Sequence, residues 1–128
     1  MSGAGPREGA VAIEFPADPR FVSVVRVAVG SSAGVYGEPD DARELSAAVG
    51  EALVVVGVGS GRAGTCAVGL ELEPGRARAT VTGPGLDPDA DEGEMARLVL
   101  TGLSDEFTES AGTGEATVTL SKAFSAIQ

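Results

Sequence analysis

The sequence predicts an α+β fold, a two-layer sandwich in which a mixed, mostly antiparallel sheet carries helices on one face. Two observations support this prediction. Apolar residues alternate with polar ones in four short segments, as in half-buried strands, and they recur every three or four residues in three longer segments, as in amphipathic helices. These segments follow one another in the order β-α-α-β-β-α-β. The chain has 128 residues, 43% of them hydrophobic, which suffices for the core of one domain.

The N-terminal region predicts a tail, a strand and a helix. Residues 1–10 are small, polar and glycine-rich, so we expect a flexible tail ahead of a single domain over residues 11–128. The next residues alternate in polarity and predict a strand, whose apolar positions are Val11, Ile13 and Phe15. Asp18 is a predicted N-cap and Pro19 suits the first helical position, so a helix is expected over about residues 19–33.

A second helix is predicted to begin at Pro39. Asp40 and Asp41 follow in its first turn, where carboxylates interact favourably with the helix dipole. Its apolar positions keep a helical period, and they are Leu45, Ala48, Val49, Ala52, Leu53 and Val56. A loop with four glycines then follows over residues 57–64.

The second half of the chain predicts a hairpin and then an acidic loop. Two alternating segments over residues 65–73 and 76–82 flank Pro74 and Gly75, a turn short enough to pair them as antiparallel strands. Residues 86–93 form the acidic loop, which has the carboxylates for Ca²⁺ but not the spacing of an EF-hand, so we expect it to be solvated.

A third helix and a last strand complete the fold. The apolar stripe begins at Met95, and the helix is expected to end near Glu106. Gly112 and Gly114 predict a loop. The last strand is indicated by alternating apolar residues, which are Ala116, Val118 and Leu120.

Composition excludes several classes of function. The chain has 19 acidic and 9 basic residues, a net charge of −10, and no histidine. This balance argues against binding to nucleic acid or to an anionic membrane, and the missing histidine excludes histidine-based catalysis and metal ligation. Cys66 is the only cysteine, so the chain has no internal disulfide. We predict no metal site and, because the N-terminus lacks the apolar core of a signal peptide, a cytoplasmic location.

Two segments are candidates for chemistry. Glu51 is an acidic residue in the middle of an almost entirely apolar helix. It is either a solvated residue at the edge of the helix or a carboxylate on a pocket wall, where burial would tune it as a base. Gly83 and Gly85 flank Pro84 at the end of a strand, and they indicate either a tight turn or a place where a ligand approaches the backbone.

Taken together, these segments resemble the anti-sigma serine kinases of the RsbW and SpoIIAB type, within the GHKL (Bergerat) ATPase group. The resemblance runs over about residues 11–124. The matching segments are residues 24–29 in the first helix, 48–52 for the family's N-box, 81–85 for its first glycine box, 98–107 after its second glycine box and 117–120 for its closing strand. The resemblance implies the GHKL fold, and it implies that Glu51 stands at the position of the catalytic base.

The departures from the family pattern lie at the nucleotide site. Val55 stands where the resemblance implies an asparagine that holds Mg²⁺, and Val81 stands where it implies an aspartate that reads adenine. Magnesium needs oxygen ligands, and a polar ligand group that loses its partner costs about 1–3 kcal/mol. With Gly83 and Gly85, these valines form a degenerate nucleotide pocket in which Glu51 is a vestigial base. We therefore expect no cofactor, with ATP and Mg²⁺ bound only if the pocket still functions.

The resemblance implies partners rather than a substrate. We expect a bacterial regulatory protein that binds a sigma factor, a STAS-domain anti-anti-sigma factor, or both, with Arg26 at the place of a first-helix arginine that contacts partners. A solvated Arg26 without a partner is the alternative. Two other functions stay open: an active serine/threonine kinase that phosphorylates a STAS-domain protein, and a subunit that forms a homodimer or a heterodimer with an intact family member.

Overall fold

The structure, a computed structural model, describes residues 9–86, 91–112 and 114–125. Within these ranges the chain forms five strands and three α-helices. In chain order they are β1 (Ala10–Pro16), α1 (Val22–Ala33), α2 (Pro39–Val55), β2 (Thr65–Glu73), β3 (Arg76–Gly83), α3 (Asp91–Leu103), β4 (Glu106–Gly112) and β5 (Glu115–Ala123). The predicted α+β class is confirmed.

All four strand pairings in the sheet are antiparallel, and the strand order is β1-β2-β3-β5-β4. The sequence predicted a mixed sheet. The difference follows from β4, because a strand inserted after α3 reverses the chain once more and brings β5 back antiparallel to β3.

The predicted order of elements is wrong after α3, because it lacks strand β4. The third helix was expected to continue to near Glu106, but α3 ends at Leu103 and β4 begins at Glu106. Within β4 only Phe107 is partly buried, and the other residues are exposed on both faces. An edge strand of this kind lacks the alternation of apolar and polar residues that identifies a half-buried strand.

The core lies between one face of the sheet and the helices. Alternate residues of β2, β3 and β5 are buried, and α2 packs against both α1 and α3, so it occupies the middle of the helix layer. Among the largest fully buried side chains are Leu45, Leu53, Leu70, Leu100 and Leu120. This arrangement is compatible with the predicted two-layer sandwich.

The remaining predictions concern the ends of elements. Asp18 caps the 3₁₀ turn Pro19–Phe21, which precedes α1, because its Oδ1 accepts a hydrogen bond of 2.9 Å from the backbone N–H of Arg20. Residues 1–8 of the predicted tail lie outside the described residues, and Ala10 is the first residue of β1. Residues 87–90 of the acidic loop also lie outside them, and residues 91–93 form the first turn of α3, so the prediction of a loop that extends to residue 93 is wrong at its end. No helix in the described ranges combines the length and hydropathy that crossing a bilayer requires.

Candidate functional site

Helix α2 positions Glu51 near the middle of the helix layer. The residues on either side of it, Gly50 and Ala52, are buried, whereas Glu51 itself is only partly buried. Within the described residues, no hydrogen bond or ion pair holds the Glu51 carboxylate. The side chain is thus intermediate between the two sequence interpretations, a solvated edge residue and a carboxylate on a pocket wall.

Arg26 lies on the exposed surface of α1, next to this part of α2. A methyl group on Gly50 would lie 3.1 Å from Cδ of Arg26, so the aliphatic stem of Arg26 crosses α2 where Gly50 has no side chain. The backbone carbonyl of Arg26 accepts a hydrogen bond of 2.8 Å from Ser46 Oγ, which fixes the two helices in register. The Arg26 side chain as a whole is exposed, so its guanidinium lies at the surface of the helix layer.

Val55 ends α2 and is 3% exposed. It lines a cleft of about 330 Å³ at the edge of the sheet. The other walls of this cleft come from the segment after β3, from α3 and from the β4–β5 hairpin, and they include Gly85, Arg97, Glu109 and Thr117. The side chain of Val55 offers no oxygen to a cation in the cleft, so the residue at this position does not fit Mg²⁺.

Val81 is fully buried in the sheet rather than in the cleft. In the register it lies between Val68 on β2 and Val118 on β5, and its exposed fraction is 0%. Of these three residues, only Val118 lines the cleft. A ligand in the cleft therefore meets no polar group from position 81.

Gly83 and Gly85 bring the end of β3 against the end of α2. A methyl group on Gly83 would lie 2.6 Å from the carbonyl oxygen of Val56, and the N–H of Gly85 donates a hydrogen bond of 2.6 Å to the same oxygen. Gly85 has a φ of +90°, which favours glycine. The two glycines thus allow a close approach between two parts of this chain, and Gly85 also lines the cleft.

An ion pair spans the cleft wall between α3 and β4. Arg97 Nε donates a hydrogen bond of 2.7 Å to Glu109 Oε2. This hydrogen bond raises the pKa of the Arg97 guanidinium. Thr82 and Thr117 add a contact of 3.4 Å between their hydroxyl oxygens nearby. Sequence reasoning missed Arg97 and Glu109 because Glu109 lies on β4, the strand that it did not predict.

The structure brings together only part of the predicted site. Val55 and Gly85 line one cleft, whereas Glu51, Val81 and Gly83 do not line it. Another cleft, of about 370 Å³, lies beside β1, β2 and β3 at Glu71 and Arg78, and none of the predicted site residues lines it. Among the described residues, no group of three histidine, cysteine, aspartate or glutamate side chains has an arrangement that could hold a metal ion.

The sequence matches no protein-family model, and no curated protein is significantly similar to it.

Proposed function

We propose that this chain is an anti-sigma-factor-like regulator that acts by binding other proteins in a partner-switching system, with ATP binding and kinase activity lost. The observation that carries the proposal is the burial of two valines at the expected nucleotide site. Val55 is 3% exposed and Val81 is 0% exposed, at the positions where the resemblance implies a magnesium ligand and an adenine reader. Neither side chain can bind a cation or pair with a polar base edge, whereas binding a protein needs neither.

Arg26 supports a role in binding partners. Its stem is held across Gly50, which lowers the conformational entropy that the side chain loses when a partner binds. A guanidinium presented in this way can make two parallel hydrogen bonds to a carboxylate of an anti-anti-sigma factor. The net charge of −10 favours encounter with a basic sigma factor.

The partner surface is tested by calorimetric titration of sigma factors and STAS-domain proteins from the same cell. We expect at least one of them to bind the wild-type chain, and Arg26→Ala to weaken that binding about tenfold or more. Arg78→Ala is the matched control, because Arg78 is an exposed arginine on the opposite face of the sheet, and it should bind as the wild type does. Absence of binding across the panel contradicts the proposal, and equal effects of the two substitutions contradict the role of Arg26.

The alternative function is an active serine kinase that uses ATP and Mg²⁺. It is favoured by the partly exposed Glu51 and by the cleft at Gly85. Incubation with radiolabelled ATP and a STAS-domain protein decides between the two functions, since phosphoserine in that protein would establish the kinase.

A variant with a restored magnesium ligand tests directly whether Val55 prevents the binding of ATP and Mg²⁺. Val55→Asn places an amide at the wall of the cleft, and we expect it to gain a rise in melting temperature with ATP and Mg²⁺ that the wild type lacks. A rise of the same size in both proteins would show that Val55 does not limit nucleotide binding. Val81→Asp is unsuitable as a second substitution beside Val55→Asn, because it would bury a carboxylate in the sheet with no hydrogen-bond donor.

A further inference from the structure

Strand β4 forms one edge of the sheet, and no described strand pairs with its outer side. On its inner side it pairs with β5 over seven consecutive residues, from Glu106 opposite Ser121 to Gly112 opposite Glu115. In an antiparallel edge strand, alternate residues turn their N–H and C=O groups away from the neighbouring strand. On β4 these groups are placed to bond to an added strand.

Edge strands commonly carry features that prevent further pairing, and β4 lacks most of them. A bulge would interrupt the register, but the register of β4 with β5 is continuous. Strand β4 also contains neither proline nor lysine. Strand β1, at the opposite edge of the sheet, ends in Pro16, which has no N–H to donate. Of the two edges, β4 therefore offers the longer run of N–H groups.

The chain around this edge is strongly acidic. Residues 105–115 contain four carboxylates and no basic residue, and all four are exposed, namely Asp105, Glu106, Glu109 and Glu115. Arg97 pairs with one of them, Glu109, so an excess of negative charge remains along the strand. Pairing of two copies of β4 about its middle residue would set Glu109 opposite Glu109, and like charges in that position are destabilising. The edge therefore disfavours a second copy of itself and favours a basic strand.

The two faces of β4 favour different residues in an added strand. Glu106 lies on the exposed face of the sheet, opposite Ser121, whereas Phe107 is opposite the buried Leu120 and lies on the face that carries the helices. Phe107 is only partly buried, so an apolar side chain beside it would gain burial. Because successive side chains of a strand point to opposite faces, basic and apolar residues would alternate along the added strand.

We propose that β4 binds an extended segment of another protein, in which basic residues alternate with apolar residues, as a sixth strand of the sheet. Main-chain hydrogen bonds to β4 hold the segment, its basic residues face Glu106, and its apolar residues cover Phe107. Strand β4 contacts α3, whereas Arg26 lies on α1, and α2 packs between these two helices. Binding at β4 therefore does not require the contacts of Arg26, and the two surfaces are testable separately.

Calorimetric titration of the full chain with a synthetic peptide, which alternates lysine and valine over the length of β4, tests this surface. We expect this peptide to bind, and the matching peptide of glutamate and valine to bind about tenfold more weakly or less. A lysine–valine peptide that is N-methylated at every residue keeps its charge but has no N–H to donate to β4. It should not bind. Absence of binding by the unmethylated lysine–valine peptide, or equal binding by the N-methylated one, overturns the proposal.

Two charge reversals locate the bound peptide. Glu106→Lys should weaken binding of the lysine–valine peptide about tenfold or more. Glu14→Lys is the matched control, since Glu14 is exposed on β1 at the opposite edge of the sheet, and it should bind as the wild type does. Both positions are exposed, so circular dichroism should show an unchanged fold. Equal effects of the two reversals overturn the proposal, because they would indicate attraction by the net charge alone.

Hydrogen exchange followed by NMR on the wild type gives a readout that attraction between charges does not change. In the free chain, alternate N–H groups of β4 should exchange slowly because they bond to β5, and the N–H groups between them should exchange fast. With the lysine–valine peptide, the fast set within residues 106–112 should become protected, while β1 stays unchanged. No added protection on β4, or added protection on β1 instead, overturns the proposal.

Discussion

At the scale of single residues, Asp41 connects the start of α2 to the C-terminal segment. It is the only buried charged side chain among the described residues, at 6% exposure. Its Oδ2 accepts hydrogen bonds of 3.0 Å from the backbone N–H of Glu38 and of 2.8 Å from that of Ser125. The sequence places Asp41 in the first turn of a helix, but it does not indicate the bond to Ser125, which is 84 residues away.

Asp41→Ala should lower the free energy of unfolding by about 2 kcal/mol, because both N–H groups lose a charged acceptor. Chemical denaturation of the variant and the wild type measures this loss. The neighbouring substitution Asp40→Ala is the control, since Asp40 is exposed and pairs with Arg43 on the surface, and it should change little. Equal losses in the two variants would contradict the role of Asp41.

Cys66 is fully buried on β2, and burial raises the pKa of its thiol. The folded state therefore holds this proton more tightly than the unfolded state. The resulting stability is fully present below the pKa of the unfolded thiol and is lost as pH rises through the higher folded value.

We expect the free energy of unfolding to fall more steeply towards alkaline pH in the wild type than in Cys66→Ala. We also expect a thiol reagent to modify Cys66 slowly in the folded chain and rapidly in denaturant. Fast modification of the folded chain, or parallel pH profiles for the two proteins, would contradict the burial of this thiol.

At the scale of elements, the contact between β3 and the end of α2 depends on Gly83. Gly83→Ala places its methyl group 2.6 Å from the carbonyl oxygen of Val56, so one of the two elements has to move. We expect a loss of about 1–3 kcal/mol in the free energy of unfolding. Gly69→Ala on β2 is the matched control, because a methyl group there meets no atom within 4 Å. Thermal or chemical unfolding compares the two, and a Gly83→Ala variant as stable as Gly69→Ala would contradict the close contact.

Prediction from sequence succeeded where burial repeats regularly. Strand β2 was predicted with its observed bounds, Thr65–Glu73, because its apolar residues alternate along its whole length. Strand β4 was missed because its residues are exposed on both faces, apart from Phe107. The error extended to the candidate site, since β4 carries Glu109. Contacts between distant segments, such as that of Gly83 with Val56, also have no periodic signal in the sequence.

At the scale of the whole molecule, the excess of negative charge dominates the electrostatics. Ion pairs in the described part of the chain include those of Arg97 with Glu109 and of Lys122 with Glu44, at 2.7 Å each. A net charge of −10 disfavours the compact state through self-repulsion.

Added sodium chloride should therefore raise the free energy of unfolding, because it screens this repulsion. Chemical denaturation with urea at several salt concentrations measures the effect, and urea is preferred because it carries no charge. Sucrose at matched osmolality is the control for effects other than screening. A fall in stability with salt would show that attractive ion pairs outweigh the net repulsion.

The candidate site also affects which kinds of ligand the whole molecule can bind. The positions that the resemblance assigns to magnesium and adenine are filled by buried valines, while α1 presents Arg26 and exposed valines to solvent. The molecule thus combines an apolar interior at the expected ligand positions with a helix surface suited to a protein partner.

The most direct test of this account is calorimetric titration of the full chain with sigma factors and STAS-domain proteins from the same cell, in the presence and absence of ATP and Mg²⁺. The account predicts that one of these partners binds with the same dissociation constant under both conditions. Binding that appears only with the nucleotide, or no binding by any partner, would contradict it.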